Sequence, residues 1–548
     1  MRIDAKVESP RQSMSWLHTW SSLILGWLLY AIFLTGTLSF FQNEITLWMK
    51  PELHQSVPAA SQNQQVAVAL KYLQNHYADA GSWTIQLPNS RQNTIVVMTR
   101  KQDEDPRARR GGNRIILDAQ TGEVLQARET RGGAFLYRFH FELYGLPRTF
   151  ARWIVGIATL FMLVAIISGI ITHKKIFKDF FTFRSGKGQR SWLDAHNVTA
   201  VLALPFHIMI TLSGLLLLLF TIMPWGVEHV YENRQQFLQD QRQILIQDRS
   251  ERNQSRREKP AHKNIEAMPL TSLEPVLAYA QQQWRDNPVA TITIISPNTN
   301  QAKIEVQALY SPSVAYRGVY PTLNFNGVTT GQPIIDQQKL LMPSVPMGIY
   351  NSFTVLHEAR GVNLSLRWLL FFSGVLGTMM VATGLILWCV KRAPQQFKQG
   401  KKSFGYRLVE VMNIAAVIGL PIACAAYFYA NRFISAQNEN RAHLEIQVFF
   451  IVWLLSLIHA AFRLHKQAWL EQLVLATILF AFLPIINCLT SGQALWNSIL
   501  QGQWVIATFD LAMWVFAVIF AFAFYKVKSH QPIQTKKNLK TNIVSTED

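Results

Sequence analysis

Hydrophobic residues are concentrated in eight blocks along the chain. One long polar segment separates the first block from the second, and another separates the third from the fourth. Each block is long enough for a membrane-spanning helix, which needs about 20 mostly apolar residues. The first is too long for the apolar core of a signal peptide and lacks a clear cleavage site, so we expect an uncleaved anchor. The blocks lie near residues 16–41, 152–173, 197–224, 367–390, 408–430, 446–464, 468–489 and 503–525.

The two polar segments, at about 42–151 and about 225–366, contain the same patterns in the same order. In each, a helix-like stretch precedes strand-like runs and a closing turn with Asp or Asn, Thr and Gly. We therefore predict two small α+β domains, with a mobile linker at 240–265. The helix-like stretches are 66–77 and 273–284, the strand-like runs are 83–87, 94–99, 114–117, 290–295 and 303–307, and the closing turns are 118–124 and 323–333.

Matching motifs indicate that the first four apolar blocks and their polar domains are an internal duplication. His18 precedes Gly36 by 18 residues, and His196 precedes Gly214 by the same number. In the second and fourth blocks an Arg-Trp pair precedes a Ser-Gly or Thr-Gly pair by 16 residues, and a histidine lies upstream of the Arg-Trp pair. These motifs are His140, Arg152-Trp153 and Ser168-Gly169 in one copy, and His357, Arg367-Trp368 and Thr383-Gly384 in the other.

The duplication predicts two pairs of histidines, because equivalent residues of two copies face each other across a pseudo-two-fold axis. His18 would pair with His196, and His140 with His357, at two depths of the bilayer. Histidines buried at membrane depth indicate a function, and two histidines can hold a haem iron as its axial ligands. We therefore predict two b-type haems that carry electrons across the membrane.

The histidines of the second pair lie about a dozen residues before their apolar blocks. In an unbroken helix they would lie far outside the hydrocarbon layer. Gly145 and Pro147 in one copy, and Gly361 in the other, could bend the chain. We expect these bends to return His140 and His357 to the bilayer interface.

Two further histidines break the symmetry. His207 lies 11 residues after His196, and a continuous helix would place both on one face, about 16 Å apart. It could ligate a haem iron, bond a ligand histidine or a haem propionate, or bond a neighbouring helix. His173 ends the second block at the expected depth of His18 and is a rival ligand there.

The other candidate positions are less informative. Gly36, Gly169, Gly214 and Gly384 could offer flat surfaces to a haem plane or permit close contacts between helices. The histidines of the last four blocks lack the matched spacing, and those of the polar segments are expected to be solvated. The former are His443, His459 and His465, and the latter are His54, His76, His229 and His262.

Composition and charge place the chain in a membrane. The chain is 49% hydrophobic and 16% charged, with a net charge of +19. Basic residues cluster at 174–190, at 391–407 and after 525, and short basic loops stay in the cytoplasm. We expect cytoplasmic termini, two periplasmic domains and no nucleic-acid binding, because the basic residues flank spans. The expected divisions are 1–41, 42–151, 152–224, 225–366, 367–407, 408–525 and 526–548.

Several motifs resemble those of the PepSY-associated transmembrane helix family, which includes iron-regulated inner-membrane proteins and ferric-siderophore reductases. The resemblance implies a membrane all-α bundle of about eight helices with two small α+β periplasmic PepSY-like domains. It also implies haem-dependent reduction of ferric siderophores at the periplasmic face of the bacterial inner membrane. The motifs are IILDAQTGEVL at 115–125, LDAH at 193–196 with LPFH at 204–207, Leu356-His357 with Thr383-Gly384, Asn431-Arg432, and Trp453.

The chain contains no candidate site for a nicotinamide or flavin cofactor. It lacks the glycine fingerprint of a dinucleotide site, and its cytoplasmic loops are too short for a flavin domain. The expected partners are therefore the lipid bilayer, a ferric siderophore and a separate donor, either a membrane quinol or a cytosolic reductase. The last four blocks could form a quinol pocket, a structural brace or a second partner surface.

Two other function classes remain open at this stage. The chain could be a non-enzymatic regulator whose polar domains bind a protein or peptide, which requires no histidine pairs. It could also transport a siderophore or iron, which would require carboxylates inside the spans. Glu410 and Asp510 are the few candidates for such a role, although Asp510 could equally bond a neighbouring helix.

Overall fold

The computed structural model describes residues 9–58, 60–105, 111–173, 183–184, 186–232, 236–237, 265–328 and 342–530. The linker predicted at 240–265 lies almost entirely outside these residues. In chain order the helices are α1 (Pro10–Ser39), α2 (Gln42–Trp48), α3 (Gln62–His76), α4 (Gly133–Glu142), α5 (Arg148–Thr172), α6 (Gln189–Leu202), α7 (Leu204–Ile222), α8 (Trp225–Glu228), α9 (Glu274–Trp284), α10 (Val345–Glu358), α11 (Leu364–Lys398), α12 (Phe404–Ile414), α13 (Leu420–Phe433), α14 (Arg441–Phe462), α15 (His465–Ser491), α16 (Leu495–Leu500) and α17 (Trp504–Ser529). The strands are β1 (Ser82–Gln86), β2 (Ile95–Arg100), β3 (Asn113–Leu117), β4 (Val289–Ile295), β5 (Lys303–Ala308) and β6 (Thr322–Asn326).

Eight helices of the described chain are long and apolar enough to cross a membrane. This confirms the eight predicted spans, and the protein is a multi-pass membrane protein. A π-helical turn at Ala415–Gly419 joins α12 to α13, so that the fifth span runs continuously over Phe404–Phe433. The spans are α1, α5, α7, α11, α12 with α13, α14, α15 and α17.

The third apolar block forms two helices instead of one. α6 ends at Leu202 and α7 begins at Leu204, with Ala203 between them. Pro205 explains the break, because its ring has no N–H and collides with the carbonyl of the preceding turn. The expectation that His196 and His207 lie on one continuous helix is therefore wrong.

The strands of the two polar segments form a single antiparallel sheet in the order β3-β2-β1-β4-β5-β6. The two predicted α+β units are both present, but they share this sheet. β1 pairs with β4, with Thr84 opposite Thr293 at the centre of the pairing. Each unit alone would expose its first strand as an unpaired edge, and joining the two strands removes both edges. The buried residues of the joint, including Trp83 and Ile292, belong to one hydrophobic core with α3 and α9.

The last four spans pack against α1, α2 and α4 in a second large core. Tyr30 of α1 donates a hydrogen bond to the carbonyl of Val417 at 3.1 Å. Trp27 donates to the side chain of Asn413 at 2.8 Å. These contacts show that the spans after the duplicated region are tied directly to its first helix.

Both carboxylates considered for transport have partners in the structure. Lys402 lies 2.7 Å from Glu410. Asp510 accepts hydrogen bonds from the indole N–H of Trp48 and the amide of Asn487, each at 2.8 Å. The alternative in which Asp510 bonds neighbouring helices is therefore confirmed.

His54 is fully buried, so the expectation that it is solvated is wrong. Its Nε2–H donates to the carbonyls of Leu47 and Trp48, each at 3.1 Å. Burial, followed by the nearby Arg432 guanidinium, lowers the pKa of His54 to about 3. The ring is consequently neutral and closes the turn after α2.

Candidate metal-binding histidine pairs

Two short helices carry the histidines of the second predicted pair. His140 lies at the end of α4, and His357 lies at the end of α10. The chain then turns through positive φ angles, at Gly145 (79°) before α5 and at Gly361 (66°) before α11. This confirms the predicted bends, and each short helix packs back onto the spans.

Both predicted histidine pairs come together in the structure. The ring centroids of His18 and His196 are 6.2 Å apart, with an angle of 62° between the planes. Those of His140 and His357 are 6.0 Å apart, with an angle of 49°. Two imidazoles that bind one metal ion from opposite sides, each through a bond of about 2 Å, have centroids about 6 Å apart. The two separations therefore match the separation expected for a shared metal ion. We call His18 and His196 the first pair, and His140 and His357 the second pair.

Hydrogen bonds at Nδ1 fix the orientation of three of these rings. Nδ1 of His18 lies 2.8 Å from the carbonyl of Ala165. Nδ1 of His140 lies 2.7 Å from that of Ile32, and Nδ1 of His196 lies 2.9 Å from that of Met380. A carbonyl can only accept, so each Nδ1 carries the proton. Nε2 is left with the lone pair that a metal ion requires.

Nδ1 of His357 is also protonated, because it donates to a hydroxyl group. Its Nδ1 lies 2.8 Å from Oγ of Ser213. The hydroxyl donates its single proton to the carbonyl of Met209 at 2.6 Å, so its oxygen accepts from His357. All four rings are thus held as the tautomer with a free Nε2.

Each of the four matched glycines faces one of these rings. A Cβ atom on Gly36 would lie 2.6 Å from the ring of His140, and the corresponding distance from Gly214 to the ring of His357 is 3.4 Å. For Gly169 and His18 it is 3.2 Å, and for Gly384 and His196 it is 3.1 Å. The glycines therefore admit a histidine from another helix, a contact that neither sequence interpretation predicted.

Three of the carbonyl acceptors precede a matched glycine by the same number of residues. Ile32, Ala165 and Met380 each lie four residues before the glycine that faces the same ring. Four residues make about one helical turn, so the carbonyl lies directly beside the glycine. In the sequence, this motif was visible as Ser-Gly and Thr-Gly pairs at matching positions of the two copies. That pattern does not show which histidine packs on each glycine.

The two pairs share the same scaffold. α1 contributes His18 to the first pair and Gly36 to the second. His18 and Ile32, the acceptor for His140, are 14 residues apart on α1, about 21 Å along the helix axis. The pairs therefore occupy two levels of the bundle, as the duplication predicted.

Burial keeps the second pair neutral. It lowers the pKa of His357 to about 3, and it also lowers the pKa of His140. The neighbouring ring is a further cause of the shift at His357, because two imidazolium charges would repel. A neutral imidazole is the form that binds a metal ion.

The two additional candidates, His173 and His207, are not members of either pair. Nε2 of His173 accepts a hydrogen bond from the amide of Asn197 at 2.9 Å. His207 is fully buried and lies edge-on to Phe33, with ring centroids 6.3 Å apart. Neither ring nitrogen of His207 forms a hydrogen bond of good geometry with a described residue.

A cleft of about 280 Å³ opens near the helix that carries His140. It lies at the end of α4 and is bordered by two guanidinium groups, of which that of Arg148 is paired with Glu142 at 2.6 Å. No sequence motif predicts this cleft. Its lining residues are Arg138, Glu142, Leu143, Leu146 and Arg148.

Among the described residues no group of three or more His, Cys, Asp and Glu side chains could hold a metal ion. The histidine pairs thus remain the candidate metal ligands. No curated protein shows significant sequence similarity to the chain. The profile of the PepSY-associated TM region matches residues 15–391, which include both pairs and both halves of the sheet. The chain therefore belongs to the PepSY-associated transmembrane family.

Proposed function

We propose that this protein is a di-haem electron-transfer protein of the bacterial inner membrane that reduces ferric siderophores at the periplasmic face. The observation that carries the proposal is the pairing of the histidine rings. Two pairs have centroid separations of 6.2 and 6.0 Å, and all four rings present a free Nε2.

The residues fit a six-coordinate haem in their chemistry. His18 and His196 would hold one haem iron, and His140 and His357 the other. Such a haem changes between Fe(III) and Fe(II) without an open coordination position, which suits electron transfer. The carbonyl bonds to Nδ1 orient the rings and make them better donors.

The second pair is the proposed output site. It lies on helices that directly follow the sheet-forming segments, and the cleft with Arg138 and Arg148 opens at the end of the helix that carries His140. Guanidinium groups bind the anionic oxygen donors of a ferric chelate. Hard oxygen donors hold Fe(III) far more strongly than the softer Fe(II), so reduction would release the iron.

The proposed orientation rests on the basic segments of the chain. Residues 391–407, which follow α11, carry Lys391, Arg392, Lys398, Lys401, Lys402 and Arg407. Such short basic segments stay in the cytoplasm. The sheet, at the other end of α11, would then lie in the periplasm, with both termini in the cytoplasm.

The test is the haem content and the reduced-minus-oxidised visible spectrum of the purified protein. We expect two b-type haems per chain with low-spin bands, and reoxidation of the reduced protein by a ferric siderophore. A colourless protein from cells supplied with haem would contradict the proposal. It would favour a regulator whose sheet binds a periplasmic protein or peptide.

A further inference from the structure

A groove of about 810 Å³ lies between α13, α14 and α15, outside the region that the family profile matches. Its walls are almost entirely apolar, as expected for a site that opens between membrane spans. Lining residues include Ile422, Ala426, Ala430, Val452, Leu475 and Leu479.

One end of the groove carries an acid–base pair. Nε2 of His459 lies 2.7 Å from the carboxylate of Glu471, and both residues line the groove. Nδ1 of His459 accepts a hydrogen bond from the amide of Gln472 at 3.2 Å. That amide also donates to the carbonyl of Ser456 at 2.8 Å. It therefore keeps a hydrogen-bond acceptor if a ligand displaces it from the imidazole. His459 can therefore offer Nδ1 to a bound hydroxyl group.

We propose that this groove binds a membrane quinol, with its isoprenoid tail along the apolar walls and its ring hydroxyl at Nδ1 of His459. A phospholipid chain would need the apolar walls but not the imidazole–carboxylate pair at the end of the groove. A quinol needs both, because its oxidation releases protons to a nearby base. This inference rests on the proposed function, for which it supplies the electron donor.

α14 also leads towards the second histidine pair. Trp453 lies one turn from the groove-lining Ser456, and both side chains approach Gly419. Its ring is 6.1 Å from that of Phe139, the residue before His140. Trp453 thus lies between the groove-lining side of α14 and the aromatic contacts of the second pair.

Both O–H bonds of the quinol break and a quinone forms, with release of two protons and two electrons. The first proton goes to Nδ1 of His459, whose imidazolium is stabilised by Glu471, and the second goes to water. The electrons leave singly, and the final acceptor is the ferric iron of the proposed function. One quinol therefore reduces two ferric chelates.

The first experiment measures binding of decylubiquinone to the purified protein by equilibrium dialysis, with and without an excess of phospholipid. We expect Ala430→Trp, which fills the groove, to weaken binding at least tenfold. Leu454→Trp is the matched control, because Leu454 lies on α14 but does not line the groove and is 56% exposed. Equal binding by both variants, or complete displacement by phospholipid, would overturn the inference.

A second experiment tests the polar end in case Ala430→Trp fails to fold. His459→Ala should bind decylubiquinone within a few-fold of wild type but slow reduction of the protein by decylubiquinol at least tenfold. Reduction by dithionite should be unchanged. A wild-type rate in His459→Ala would exclude the imidazole as proton acceptor and overturn the inference.

The dialysis requires no haem, so quinone binding by a colourless protein would reject the proposed function alone. A haem-loaded protein that binds no quinone would reject this inference alone.

Discussion

At the scale of single residues, the defining feature is a histidine ring packed on a glycine of another helix. The ring bonds a backbone carbonyl one turn before that glycine at three of the four positions. A side chain on the glycine would displace the ring from its acceptor. The glycines thus determine the position of the proposed ligands as directly as the histidines do.

Replacement of either partner should empty one site and leave the other. We expect His196→Ala and His357→Ala each to lose one of two haems, because a single axial histidine binds haem less tightly. The measurement is haem per chain by pyridine haemochrome. His76→Ala serves as control, since His76 is exposed and belongs to neither pair. Full haem content in either variant would refute that ligand assignment.

Alanine substitutions at the two glycines of the second pair should reduce haem occupancy by different amounts. Gly36→Ala should reduce its haem occupancy and stability, because the new Cβ would lie 2.6 Å from the ring of His140. Overpacking of this kind costs about 1–3 kcal/mol. Gly214→Ala is the matched control, with a distance of 3.4 Å to the ring of His357. Haem titration of both variants tests the order, and equal occupancy would contradict it.

His54 should contribute to acid sensitivity. Its pKa is about 3 in the folded protein and 6.5 when unperturbed. The folded state thus binds fewer protons below 6.5, and stability is lost as the pH falls from about 6.5 towards 3. The contribution is about 1.4 kcal/mol per pH unit within that window. In His54→Gln the slope of unfolding free energy against pH should decrease by about this amount. An unchanged slope between pH 6 and pH 4 would show that His54 does not titrate on unfolding.

At the scale of elements, the joined sheet makes the two polar segments one structural unit. The pairing of β1 with β4 places residues of the two repeats directly opposite each other. Alternate residues of both strands are buried in the common core, so a slip by one residue would expose that core. The register is therefore strongly specified.

A cysteine pair can test this register. Thr84→Cys with Thr293→Cys should form a disulfide in an oxidising environment, because these residues are directly opposite and partly exposed. Thr84→Cys with Thr291→Cys is the control, since the second cysteine would be displaced by two residues on the same face. Non-reducing electrophoresis after cleavage between the repeats detects the bond. Equal cross-linking of both pairs would contradict the observed register.

At the scale of the whole molecule, a buried polar network ties three of the last four spans to the duplicated region. The guanidinium of Arg432 lies 4.1 Å from the centre of the Trp48 ring and donates to the carbonyl of Trp48. The same guanidinium bonds Asn487, which in turn bonds Asp510. The network thus joins α2, α13, α15 and α17, so these spans act at least as a brace.

Loss of Asp510 should loosen this brace. Asp510→Ala leaves the indole of Trp48 and the amide of Asn487 buried without an acceptor, which costs about 1–3 kcal/mol for each group. Asp510→Asn retains one acceptor oxygen and should cost less. Thermal unfolding in detergent measures the difference. Two variants as stable as wild type would show that the network contributes nothing to stability.

The eight spans, five of the six strands and the two histidine pairs follow from sequence patterns alone, whereas β6 forms where a closing turn was expected. Apolar length identifies a span without knowledge of its neighbours. The pairs His18 with His196 and His140 with His357 followed from equal spacing in two copies, because a duplication carries its symmetry into the fold. Their haem remains a prediction until its content is measured.

The groups that contact these rings, and the way in which the two copies join, depend on long-range packing. The carbonyl of Ala165 and the ring of His18 are far apart in sequence, and no local pattern encodes their hydrogen bond. Likewise, the burial of His54 depends on residues from distant helices, and the β1–β4 pairing links strands about 200 residues apart. Local patterns fix elements, whereas long-range packing selects the partner of each polar group.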